Sequence, residues 1–187
     1  MQHTIVKQPA GAQGLRHDPT TIALHWATVV LVVVLWSIGQ TVDFAPNGAL
    51  RIDYRSTHIA LGVTLGVVLL VRLTWRLTWH RQLPPIDHGL LQVIGRVTHW
   101  VLYALLITTV ALGITNAWVR GDTIFNLFKV PAYDPGNRAL VNEVGDWHAL
   151  AANAVLILAG VHAAAALFHH YILRDATLRR MLPWAVR

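Results

Sequence analysis

The sequence contains no cysteine among its 187 residues. That absence excludes disulfides, thiolate metal sites, iron–sulfur clusters and the covalent C-x-x-C-H attachment of c-type haem. Charged residues are also scarce, at 13% against 55% hydrophobic residues, and this balance excludes an ordinary soluble domain. The formal net charge is +6, but the basic residues flank apolar runs instead of clustering on a polar domain. The composition therefore indicates a membrane protein rather than a nucleic-acid-binding protein.

Four apolar segments are long enough to cross a bilayer core of about 30 Å as helices. Their approximate bounds are Thr21–Gln40, Ser56–Trp75, Gly95–Trp118 and Asp146–Tyr171. The first is too long for a signal-peptide core and has no A-x-A cleavage site, so we expect it to be a retained span. The predicted fold class is all-α, an integral membrane four-helix up-and-down bundle with its sites between the helices.

The ends of these segments carry helix and turn signals. Asp18 followed by Pro19 predicts the start of the first helix, and Asn137 is a candidate cap for an extension of the fourth. The apolar run Ile124–Phe128 is expected to lie flat at the membrane interface. The domain organisation predicted is a disordered cytoplasmic N-terminus at 1–17, a membrane domain at 18–183 and a short tail at 184–187.

Basic residues are distributed unequally between the two sides of the predicted bundle. The N-terminus, the tail, and the connection between segments 2 and 3 together with the adjoining ends of those segments hold ten Lys and Arg against three acids. The other two connections hold five bases against six acids. The positive-inside rule then places both termini in the cytoplasm.

Two histidines inside segment 4 are the most informative pair in the chain. His148 and His162 are 14 residues apart, which is close to four helical turns, so both leave the same helix face about 21 Å apart along the axis. Polar rings at two depths of a membrane helix are costly and usually mark function. The spacing predicts two stacked metal or haem sites.

The predicted topology assigns a depth to each remaining membrane histidine. His58 falls at the outer level with His148, and His25 falls at the inner level with His162. Two neutral imidazoles facing each other across a bundle are what the iron of a b-type haem requires. His99 lies at a similar inner depth and is an alternative partner for His162, although depth favours His25. The His3, His17, His80 and His88 side chains fall in polar ends or loops and are expected to be solvated.

Other residues fit a cofactor near these histidines. Gly62 and Gly66 follow His58 on its helix face and would leave room for a flat ring, although glycine also permits close helix packing. Arg72 shares that face at the inner level, where it could pair with haem propionates or reach lipid phosphates. His169 lies seven residues beyond His162 on the same face and could bind a quinone and relay a proton, or be an interfacial histidine without a ligand.

Four motifs make the chain similar to a known family. They are I-A-L-H-W in segment 1, T-H-I-A-L-G with the downstream V-R-L in segment 2, T-H-W-V-L-Y in segment 3, and W-H-A-L-A-A-N…G-V-H-A-A-A-A-L-F-H-H-Y in segment 4. Over roughly Asp18 to Pro183 the chain resembles the bacterial cytochrome b561 family in its short four-helix form. The resemblance implies two non-covalent haem b groups with His25, His58, His148 and His162 as axial ligands, and it implies a quinone-site histidine at His169.

Some members of that family oxidise superoxide at the outer face and reduce ubiquinone, so the resemblance implies a superoxide:ubiquinone oxidoreductase. It also implies a positive funnel outside, which here requires that Arg51, Arg55, Arg120, Lys129 or Arg138 cluster. One alternative is a cytochrome b subunit that docks a hydrogenase or dehydrogenase partner. Another is a histidine-lined metal transporter, which the lack of acidic residues inside segments 1 to 3 disfavours.

Overall fold

The computed structural model describes residues 16–79, 83–84, 86, 89–134 and 136–183, and these residues form a bundle of four long helices. The helices are α1 (Pro19–Thr41), α2 (Ala49–Thr78), α3 (Leu90–Arg120) and α4 (Arg138–Phe168). Within the described residues, four helical segments are long and apolar enough to cross a membrane, the fourth extending to Leu173 through a π-helical turn at His169–Leu173. The predicted class, an all-α integral membrane four-helix bundle, is confirmed.

Both predicted helix caps are present. The side chain of Asp18 accepts a hydrogen bond from the backbone N–H of Thr21 at 2.9 Å, with Pro19 in the first turn of α1. The side chain of Asn137 accepts one from the N–H of Leu140 at 3.0 Å and starts α4. α2 begins at Ala49, seven residues before the apolar run, because polar residues continue the helix beyond the stretch that hydropathy detects.

Helices adjacent in sequence pack as neighbours, and α4 also contacts α1, which closes the bundle. A buried cluster fills its middle and consists of Leu35, Leu65, Leu69, Leu106 and Val155. Val155 lies halfway between His148 and His162 on α4, so this apolar plug separates the two levels at which the histidines lie. Outward-facing side chains such as Leu70 (67% exposed) and Ile157 (69% exposed) form the apolar surface expected to face lipid.

The connection between α3 and α4 forms a small hairpin, which includes the run Ile124–Phe128 that was expected to lie at the membrane interface. Its strands, β1 (Thr123–Ile124) and β2 (Phe128–Lys129), pair antiparallel. Gly121 ends α3 with φ +66, and a Cβ there would lie 2.8 Å from the Cβ of Ala132, so glycine is required on both grounds. We call the side of the bundle that carries this hairpin the loop side, and the opposite side the terminal side.

The C-terminal segment folds back beneath the terminal side. The indole N–H of Trp26 donates to the carbonyl oxygen of Met181 at 2.8 Å. The backbone N–H of His17 donates to the carbonyl oxygen of Arg180 at 3.2 Å. Arg16 bonds the carbonyl oxygen of Leu182. Arg16 and His17 therefore belong to the folded domain, and His17 is half-buried instead of solvated. The predictions for residues 1–15 (with His3), His80, His88 and 184–187 lie outside the described residues.

Candidate functional site

The membrane histidines meet at two levels of the bundle. On the loop side, the ring of His58 on α2 lies 6.1 Å from the ring of His148 on α4, centroid to centroid. On the terminal side, the ring of His25 on α1 lies 6.5 Å from the ring of His162 on α4. The pairs named from sequence depth are thus brought together across the bundle.

The separation of each pair suits a shared metal. Bonds from imidazole nitrogen to a metal are about 2 Å long, so two rings on opposite sides of one metal have centres roughly 6 Å apart. Both pairs have that spacing. Within the described part of the chain, no three His, Asp or Glu side chains form a metal-binding group.

His99 was the open alternative at the terminal-side level. Its ring centroid lies 5.1 Å from that of His162, closer than the roughly 6 Å that a metal between the two rings requires. His25, at 6.5 Å, has the more suitable spacing. The geometry therefore favours His25 as the partner of His162 and leaves His99 as a neighbour of the pair.

A backbone hydrogen bond sets the tautomer of His148. Its Nδ1 lies 3.0 Å from the carbonyl oxygen of Thr109 on α3. A carbonyl only accepts, so Nδ1 carries the hydrogen and Nε2 keeps the lone pair that binds a metal. Histidine ligands of metals almost always donate their second ring N–H to such an oxygen. The loop-side level therefore fits a coordinated metal in its tautomer as well as in its spacing.

The terminal-side level is arranged differently, because Arg72 contacts the histidine itself. Its Nη2 lies 3.0 Å from Nδ1 of His25, and its guanidinium lies over the ring of Tyr103 with Cζ 5.3 Å from the centroid. A guanidinium only donates, so here the hydrogen of His25 is on Nε2. If Nε2 of His25 coordinated a metal, Arg72 would have to leave Nδ1. A carboxylate on the bound group would attract the guanidinium away.

A cavity of about 400 Å³ opens beside the loop-side pair, and both His58 and His148 line it. Its walls are mainly apolar and come from α1, α2, α3 and α4, with Leu35, Leu65 and Val155 of the central cluster at its floor. Arg55, Arg120 and Asp122 line it as well. An apolar slot with two imidazoles inside and charged groups at one end fits a porphyrin, which is apolar apart from its carboxylates.

Glycines that sequence spacing did not identify make room for these histidines. A Cβ on Gly113 of α3 would lie 3.0 Å from Cε1 of His148, and one on Gly39 of α1 would lie 3.4 Å from Cε1 of His58. Of the two glycines predicted to leave room for a flat ring, Gly62 lines the cavity with nothing within 4 Å of its Cβ position, in line with that prediction, whereas Gly66 packs against Val110. A glycine within an apolar helical segment was the only available signal for Gly39 and Gly113, since each makes room for a histidine on another helix.

A buried acid holds two of the loop-side bases together. Asp122 is 6% exposed, and its carboxylate lies 3.1 Å from Nε of Arg120 and 3.7 Å from Nη1 of Arg55. Burial raises the pKa of the Asp122 carboxyl, and the two arginines oppose that rise without cancelling it. Two of the five loop-side bases therefore do cluster, but around an acid.

On the terminal side, His169 begins the π-helical turn and pairs with a carboxylate that the sequence analysis missed. Its Nδ1 lies 2.6 Å from Oδ2 of Asp175, whose Oδ1 accepts the backbone N–H of Thr177 at 2.8 Å. Partial burial acts to raise the pKa of Asp175, but the hydrogen bonds from His169 and Thr177 outweigh it, and the pKa lies below its ordinary value. π-Helical turns occur frequently at functional sites.

Comparison with known proteins identifies the family of this chain. The family described as prokaryotic cytochrome b561 matches residues 16–184. A protein named probable superoxide oxidase CybB, from Yersinia pestis, is 32% identical over 167 residues, covering 87% of this chain and 93% of that protein. Cytochrome b561 homolog 1 of Escherichia coli (strain K12) is 30% identical over 175 residues, covering 90% and 97%. Cytochrome b562 of Cereibacter sphaeroides is 32% identical over 170 residues, covering 86% and 91%. The chain belongs to the prokaryotic cytochrome b561 family.

Proposed function

We propose that this chain is a di-haem b cytochrome that passes electrons across a bacterial inner membrane. The observation that carries the proposal is the presence of two histidine pairs, with ring separations of 6.1 and 6.5 Å, at the two ends of the bundle. His58 and His148 would hold the loop-side haem, and His25 and His162 the terminal-side haem. Membership of a cytochrome b family supports haem b as the cofactor.

Haem b supplies a one-electron centre at each level when it is bound. A haem held by two histidines would suit electron transfer rather than oxygen activation. The chain's own contribution is to fix the ligands and exclude water. Thr109 orients His148, and the apolar cluster around Leu35, Leu65 and Val155 keeps the space between the levels dry.

We propose superoxide on the loop side as donor and ubiquinone on the terminal side as acceptor. Each superoxide gives one electron and becomes dioxygen, so two are consumed, with two protons, for each ubiquinone reduced to ubiquinol. The name of the Yersinia pestis relative supports this substrate. The excess of basic residues on the terminal side supports a cytoplasmic location for that side.

His169 is the proposed contact for the quinone. It lies seven residues, about 10 Å along the helix, beyond His162 towards the terminal surface. Asp175 accepts the hydrogen on its Nδ1 and would stabilise the ring when it is protonated. His169 would then donate a proton from Nε2 to a quinone oxygen and be reprotonated from the terminal side.

The test is ubiquinol formation by the purified protein under a steady flux of superoxide, with superoxide dismutase added as a control. The wild type should reduce ubiquinone, and dismutase should abolish the reaction. His148→Ala and His162→Ala should each lose one of two haems, counted per chain, and both should lose activity. Two haems without superoxide-dependent turnover, together with co-purification of a soluble redox enzyme, would instead favour an electron-transfer subunit of a hydrogenase or dehydrogenase.

A further inference from the structure

Asp122 is a buried charge that the proposed electron route does not use. It follows Gly121 at the C-terminal end of α3, and its side chain is 5% exposed. The negative end of the α3 dipole is an unfavourable place for a carboxylate, and burial adds a desolvation cost. The positive charges of the Arg120 and Arg55 guanidinium groups offset these costs. A hydrophobic residue would serve packing alone better, so the charge itself requires an explanation.

The position of this triad relates it to the loop-side histidines. Arg55 precedes His58 by three residues on α2 and therefore lies on the same helix face, roughly one turn nearer the loop side. Arg120 follows Gly113, the residue beneath His148, by seven residues on α3 and shares its face. All three charged side chains line the cavity that contains the two imidazoles.

The chemistry of a porphyrin matches this layout. Haem b carries two carboxylates at one edge and is otherwise apolar, so a slot with imidazoles at its centre should have cations at one end. Arg55 and Arg120 are the two bases that line this cavity. Arginine is suited to carboxylates because its planar fork donates two parallel hydrogen bonds. Without Asp122 between them, these two like charges, each about a third exposed, would repel each other and separate.

We propose that Arg55 and Arg120 bind the carboxylates of the loop-side haem, and that Asp122 is a positioning residue that holds both guanidiniums and lowers the midpoint potential of that haem. A fixed negative charge in a low-dielectric cavity opposes the addition of an electron. The inference rests on the proposed function, because it requires a haem between His58 and His148.

The first test is a redox titration of the full-length protein carrying Asp122→Asn. One of the two midpoint potentials should shift upwards, and it should be the one that is missing from His148→Ala. The terminal-side haem should keep its potential. Asp146→Asn is the matched control, since Asp146 lines the same cavity but is exposed to solvent and should produce a smaller shift. Asp122→Glu, which keeps the charge, should restore most of the wild-type potential.

The second test separates a positioning role from a purely electrostatic one. Transfer of haem to apomyoglobin should be roughly tenfold faster in Arg55→Gln/Arg120→Gln, because charge-assisted hydrogen bonds are lost. Asp122→Asn should also accelerate it, but adding Asp122→Asn to the double arginine variant should change nothing further. If Asp122→Asn does not fold, Arg120→Gln alone should lower the same midpoint potential.

The outcomes are distinguishable from a failure of the proposed function. A wild type without two haems, or a His148→Ala variant that keeps both, would overturn that function. The wild type could hold two haems and His148→Ala lose one of them, as the proposed function requires. If Asp122→Asn then shifted both midpoint potentials equally, or neither, only the role of Asp122 would be overturned. Additive effects of Asp122→Asn and the arginine changes on haem release would overturn the positioning role.

Discussion

His148 is fixed by Thr109: its Nδ1 lies 3.0 Å from the Thr109 carbonyl oxygen, across the contact between α4 and α3. This bond selects one tautomer and one ring orientation, and it leaves Nε2 as the nitrogen able to bind a metal. The His148 ring therefore cannot easily move aside for an added side chain. His25 differs, because its Nδ1 accepts from Arg72. The two levels of the bundle are thus prepared to different degrees for a cofactor.

The ring spacings predict which terminal-side histidine is a ligand. His25→Ala should remove one haem per chain and leave the loop-side haem in place. His99→Ala should retain two, because its ring centroid lies only 5.1 Å from that of His162. Pyridine haemochrome quantification per chain measures both. A His99→Ala protein with one haem and a His25→Ala protein with two would reverse the assignment.

Gly113 should be sensitive to any added side chain. A Cβ there would lie 3.0 Å from Cε1 of His148, and the bond to Thr109 hinders that ring from moving away. Gly113→Val is expected to lose most of the loop-side haem, and Gly113→Ala a smaller part of it. Gly95→Val on the same helix is the matched control, since nothing lies within 4 Å of its Cβ position. Equal haem contents in the two valine variants would contradict the packing argument.

Ser56 should hold the loop-side hairpin against α2. It is fully buried, and its Oγ accepts the backbone N–H of Phe125 at 2.8 Å while lying 2.7 Å from the carbonyl oxygen of Ile52. Ser56→Ala leaves a buried N–H without its partner and should destabilise the fold by about 1–3 kcal/mol. Thermal unfolding in detergent measures the effect.

The control for that change is Ser37→Ala on α1. Ser37 is exposed and bonds only the carbonyl oxygen of Val33 in its own helix. Its removal should change the free energy of unfolding by less than about 0.5 kcal/mol. Similar losses in Ser56→Ala and Ser37→Ala would show that the hairpin contact contributes little.

Asp175 should contribute to stability in a pH-dependent way. Its pKa in the folded protein lies below the ordinary 3.8, so its pairing with His169 and Thr177 is present above that value and is lost as pH falls below it. The melting temperature of Asp175→Asn should therefore lie below that of the wild type at pH 6, and the difference should shrink below about pH 4. A difference that grows on acidification would contradict the sign of this linkage.

Features local to single segments were enough to predict the four spans, both caps and the two depths at which histidines lie: apolar length, capping residues and helical spacing. Asp18 and Asn137 are recognisable because a cap acts on backbone groups three residues away. His148 and His162 are recognisable because the helical repeat places residues 14 apart on one face. These features depend on local geometry, which the order of residues determines.

Contacts between helices could not be deduced in this way, because the rotation of one helix against another is set by the packing of all four. Only the tertiary structure placed Gly39 and Gly113 beneath histidines of other helices. Its ring spacings also support His25 over His99, the choice that predicted depth had favoured. It also joined Asp122 to Arg55, and Asp175 to His169 around a π-helical turn. The amino-acid order by itself determined where polar groups enter the membrane, whereas the fold decided which of them meet, since meeting requires segments distant in the chain to pack together.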